Sequence, residues 1–162
     1  MKKSSTIFLQ VVVVLLGIGA LAVMLWEPHL EGRNARATNF DIYFKDPFLA
    51  WAYSASLAFF MALYQAFKLL GYAGQNKIFS PEAVKALRTI KYCAMIIVGF
   101  IAPAEVYLFI VRPGDDIAGG VFIGVLISLI SITVAVVAAI FARRLQSAVN
   151  VKSDNHSLPN TN

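Results

Sequence analysis

Four long apolar runs govern what this chain can fold into. They extend from Ile7 to Trp26, Phe48 to Leu70, Ile90 to Val111 and Val121 to Phe141. Each meets the roughly 20 residues a helix needs to cross about 30 Å of hydrocarbon. Lipid supplies no hydrogen bonds, so an isolated spanning segment must pair its backbone groups internally, as a helix does. The expected fold is an all-α integral membrane protein, a four-transmembrane-helix antiparallel bundle over residues 1–146, with a polar, disordered tail over 147–162. Only 14% of the residues are charged, against about 25% in soluble domains, and no polar segment is long enough for a soluble enzyme domain. Lys2 and Lys3 before the first run resemble a signal peptide, with Ala20-Leu21-Ala22 as a cleavage site. The apolar core outlasts the usual h-region and runs on to Trp26, so span one is read as retained.

Charge sets the expected orientation. Lys2, Lys3, Lys68, Lys77, Lys85, Arg88, Lys91, Arg143, Arg144 and Lys152 lie on one side with only Glu82 and Asp154. Arg33, Arg36, Lys45 and Arg112 lie on the other with six carboxylates, Glu27, Glu31, Asp41, Asp46, Asp115 and Asp116. The positive-inside rule then places both termini in the cytoplasm and predicts affinity for anionic lipids, with no direct nucleic-acid binding expected. Trp26 and Trp51 fall at the outer ends of spans one and two, and Tyr72 and Tyr92 at the inner ends of two and three, where amphipathic rings favour headgroups.

Helices in lipid approach through small side chains. Span two carries Ala50, Ser54, Ala58, Ala62 and Ala66 at four-residue spacing, and span four carries Gly120, Gly124 and Ser128. The close-contact faces are therefore expected on spans two and four, while bulky faces such as Val11 to Val14 meet lipid. Spans three and four, joined only by residues 113–120, are expected to be antiparallel neighbours.

Between spans two and three a helix is expected to start at Ser80. Ser80 is a good N-cap, Pro81 suits the first helical position, Glu82 suits the positive end of the dipole, and Phe79 with Val84 has the spacing of a hydrophobic staple. Val84, Leu87 and Ile90 make an apolar stripe beside Lys77, Lys85, Arg88 and Lys91. The favoured expectation is a helix lying on an anionic membrane surface. The alternative is a docking surface for a cytoplasmic partner, formed by Phe79, Ser80, Glu82, Lys85, Arg88 and Lys91.

The stretch from Lys77 to Ile90, through Phe79, Ser80, Glu82, Val84, Leu87, Arg88 and Ile90, resembles the bacterial membrane-protein family known as domain of unknown function 2975 (DUF2975). The span layout extends the resemblance over most of the chain. It implies four spans in a bacterial inner membrane and a place beside small helix-turn-helix regulators. It implies no catalytic residues.

Glu105 is the one carboxylate inside a run and the one candidate for chemistry within the hydrocarbon. A carboxylate at mid-membrane costs on the order of 2.5 to 3.5 kcal/mol, which makes it a functional-site suspect. Tyr53, Ser54 and Ser56 enter the membrane from the same side and are expected to donate hydrogen bonds to it, with Arg112 within snorkelling reach. Pro103 frees a carbonyl beside it. A structural carboxyl is favoured over a proton or ion relay. Gln10 and Gln65 are expected to join spans one and two, and Phe40, Tyr43 and Phe44 to cap the bundle.

His29 and His156 lie outside the runs and Cys93 is alone, so no haem pair, thiolate site or other metal site is expected. Cofactors and catalysis are not expected either. The function expected is that of a non-catalytic interaction or regulatory module, acting on itself or on a cytoplasmic regulator. The alternative is a small transporter or ion conductor using Glu105 and the polar residues of span two, Tyr53, Ser54, Ser56 and Gln65.

Overall fold

The computed structural model describes residues 3–26, 47–111 and 118–157. They form four helices: α1 (Lys3–Trp26), α2 (Pro47–Gly74), α3 (Pro81–Val111) and α4 (Ala118–Ser157). Each contains a stretch long and apolar enough to cross a membrane. At 1.5 Å per residue they are about 36, 42, 46 and 60 Å long, so all four exceed a hydrocarbon layer of about 30 Å, α3 and α4 by the most.

The helices are antiparallel neighbours in chain order. Thr6 meets Gly74, Gln10 meets Gly71 and Gly17 meets Leu63 across α1 and α2. Trp51 bonds to Phe100 across α2 and α3. Across α3 and α4 Arg88 bonds to Gln146, and Glu105 meets Gly124. Among consecutive helices, contacts are densest between α3 and α4 and sparsest between α1 and α2.

The link between α2 and α3 is a capped turn at both ends. Lys77 N–H donates to Tyr72 O at 2.8 Å and Asn76 N–H to Ala73 O at 3.3 Å, with Asn76 left-handed at φ 57°. This pair of bonds is a Schellman stop, and asparagine tolerates its backbone angle. Ser80 Oγ then accepts from Ala83 N–H at 3.3 Å, which opens α3.

Burial is uneven along the bundle. The buried apolar residues among those described are Ala83, Val84, Ala86, Leu87, Ile90, Cys93 and Ala94 of α3 and Ala138 and Ala142 of α4. All lie in the half of the bundle that carries the basic residues, here called the basic end. Leu87, Ile90, Ala138 and Ala142 form its centre, with Ala66, Leu69 and Leu145 packed on it. Leu57, Ile110 and Phe122, nearer the opposite end, are 72%, 71% and 69% exposed. A helix as long as α3 exceeds about 30 Å of hydrocarbon, and where such a helix stands in water the hydrophobic effect drives apolar side chains inward. Lipid supplies no such drive.

Two expectations change. The stripe Val84, Leu87, Ile90 does not lie on a membrane surface: it is inside the protein, because α3 runs unbroken from Pro81 and α4 is long enough to cover it. The fourth helix continues to Ser157, through 147–157 of the segment expected to be a disordered tail. Ser147 Oγ donates to Arg143 O at 3.2 Å, and Gln146 Nε2 to Asn150 Oδ1 at 2.8 Å, so polar side chains bond along the helix they extend.

Candidate functional site

Two places gather the residues that could carry function. The first is the basic end, where the N-terminal turns of α3 stand against the C-terminal turns of α4. Ala83, Val84, Ala86 and Leu87 face inward, and the same helix turns Glu82, Lys85 and Arg88 outward to solvent. Phe79, just before the cap, is 56% exposed. The Glu82 carboxyl is held below its ordinary value, first by its own backbone N–H, then by the Ser80 hydroxyl and the Lys77 charge. Arg88 Nη2 donates to Gln146 Oε1 at 3.2 Å, which ties α3 to α4. Lys91 is half-buried, with Nζ 4.2 Å from the centroid of the Tyr92 ring. The result is a cationic surface on a helix pair with a solid core.

The second place is Glu105. Its side chain lies in a notch that glycine creates on α4: a Cβ at position 124 would collide with Oε1 and stand 3.2 Å from Cδ. Glu105 Oε1 is enclosed and has no hydrogen-bond partner among the described residues. The donors expected for it act elsewhere. Tyr53 Oη donates to Met24 O at 2.7 Å, Ser54 Oγ to Ala50 O at 2.9 Å and Ser56 Oγ to Tyr53 O at 2.7 Å. Glu105 packs on α4 while these residues tie α2 to α1 or to itself, so the expected cluster is not assembled. Arg112 and the aromatic residues Phe40, Tyr43 and Phe44 lie outside the described residues.

The remaining expected positions are dispersed. Gln10 reaches α2, but its Nε2 donates to Phe67 O at 3.2 Å, while Gln65 is half-buried without a bond to it. On α2, Ala50 and Ser54 are exposed and Ala58, Ala62 and Ala66 half-buried. On α4, Gly120 faces Leu108 of α3, and Ser128 is half-buried. Cys93 is buried as a free thiol. The described residues contain no cluster of three or more side chains suited to hold a metal ion.

Three contacts went unanticipated. Gly74 and Gly71 let Thr6 and Gln10 approach α2, and their three-residue spacing is the signal that could have revealed them. Trp51 Nε1 donates to Phe100 O at 2.8 Å with the two rings 4.9 Å apart. This bond falls in the turn where Pro103 cannot donate to Gly99 O and where its ring crowds the preceding carbonyls. Gln146, which meets Arg88, carries no pattern of its own in the sequence.

Residues 31–157 match the family described as "Protein of unknown function (DUF2975)". A relative from Bacillus subtilis (strain 168), named "Uncharacterized membrane protein YoaS", is 38% identical over 156 residues, which cover 96% of this chain and 98% of the relative. No solved structure matches.

Proposed function

The chain belongs to the DUF2975 family of membrane proteins of unknown function, and from there we propose that it is a non-catalytic docking module of the bacterial inner membrane. Both termini and the α2–α3 hairpin face the cytoplasm in this reading, as the cation distribution predicts. The partner is a soluble protein with an acidic surface, held by Lys85 and Arg88. One observation carries the proposal: the apolar face of the first α3 turns is already used inside the protein, with Val84 2% and Leu87 7% exposed. A helix with no free apolar face cannot insert into a membrane surface. What it offers is an exposed set of charges, and charge complementarity favours selective recognition and fast association.

The test places a photo-crosslinking amino acid at the exposed position of Phe79, beside the two cations, and irradiates native membranes, with the products identified by mass spectrometry. Crosslinks to one acidic soluble protein are the expected result, lost when Lys85 and Arg88 are reversed to glutamate and kept in Glu105→Gln. Crosslinks to phospholipid only, or crosslinks that survive both reversals, overturn the proposal.

The enclosed Glu105 Oε1 favours a second reading, a proton or ion path through the α3–α4 contact. Under it, Glu105→Gln abolishes flux into proteoliposomes while the charge reversals leave flux intact.

A further inference from the structure

We infer that the protein holds one anionic phospholipid of the inner leaflet in a groove between α3 and α4. The groove is about 430 Å³, within the range of small-ligand sites. Lys91, Met95 and Val98 line it from α3, and Ile132, Ala135 and Ala139 from α4. On each helix these residues recur at three- and four-residue intervals, so they form one continuous face. From Lys91 to Val98 the groove runs about 10 Å along the axis, most of the roughly 15 Å depth of one leaflet's hydrocarbon. Alanines at 135 and 139 keep its α4 wall low, which leaves room for an acyl chain.

The occupant is identified by the chemistry of the mouth. Every lining residue is apolar except Lys91, which stands at the basic end. Arg143, exposed and one turn beyond Ala139 on the same face of α4, extends that mouth. Two cations above an apolar channel complement a phosphodiester with its acyl chain below. A neutral apolar partner gains nothing from them. Each cation beside an anionic headgroup is worth about 1 kcal/mol, a roughly fivefold bias, so the pair predicts a preference of about 25-fold for anionic over zwitterionic lipid.

The full chain is reconstituted in nanodiscs of equal parts phosphatidylglycerol and phosphatidylcholine, and retained lipid is counted by native mass spectrometry. One phosphatidylglycerol is expected to survive release. Lys91→Gln with Arg143→Gln is expected to erase the preference, and Lys68→Gln, on α2 away from the groove, to leave it unchanged. Ala135→Phe, which fills the groove without altering charge, is expected to lower retention of both lipids. Equal retention of the two lipids by the unaltered chain overturns the inference, as does a preference that persists without both cations. A dimer whose interface covers Ala135 and Ala139 also overturns it.

Discussion

Leu87→Ala tests whether water, acting on the part of α3 outside the hydrocarbon, organises this bundle. Leu87 is 7% exposed and packs with Ile90, Ala138 and Ala142. The substitution removes three carbon groups, about 2.4 kcal/mol of transfer free energy at roughly 0.8 kcal/mol each. The cavity left behind brings the expected loss to about 2 to 5 kcal/mol. Leu126 is the matched control: it lies in the apolar stretch of α4 and is 46% exposed, so Leu126→Ala is expected to cost about 0.5 kcal/mol or less. Both variants are measured by reversible unfolding in mixed micelles with increasing sodium dodecyl sulfate, followed by far-ultraviolet circular dichroism. Equal losses at the two positions, or a loss below about 0.5 kcal/mol at Leu87, would refute the reasoning, because burial at the basic end would then be no more stabilising than contact with lipid.

Three further outcomes are expected. Asn76→Val forces a β-branched residue into a left-handed backbone and is expected to cost about 1 to 2 kcal/mol, whereas Asn76→Gly is expected to be near neutral in the same unfolding assay. Trp51→Phe keeps the ring contact but removes the donor to Phe100 O, for an expected loss of about 0.6 to 1.7 kcal/mol. Gly124→Ala drives a methyl group into Glu105 and is expected to cost about 1 to 3 kcal/mol. In a Glu105→Ala background that cost is expected to vanish, and a double-mutant cycle that found the two substitutions additive would contradict the contact.

Some of this architecture is written in local chemistry. The four helices follow from apolar length, and the start of α3 follows from Ser80, whose side chain needs only its own next turn to act as a cap. The candidate sites were less legible. Val84, Leu87 and Ile90 carry the pattern of a helix that rests on something apolar, but the pattern is the same whether that something is lipid or a neighbouring helix. Glu105 stands out in any reading of span three, yet its partner depends on the rotation of α3 about its axis, which turned it toward Gly124 and away from Tyr53, Ser54 and Ser56.

Periodicity and length act within a single helix, so the amino-acid order alone was enough to specify four helices able to cross a membrane and the distribution of charge between them, but not where α4 ends. Which face meets which neighbour is a property of pairs. Only packing in three dimensions showed that the helices associate in chain order, that the stripe on α3 is covered by protein, and that a groove with a cationic mouth remains beside it. Lipid offers the helices no apolar reason to turn one way or another, so those choices rest on shape: a glycine notch, a low alanine wall, and a helix long enough to reach into water.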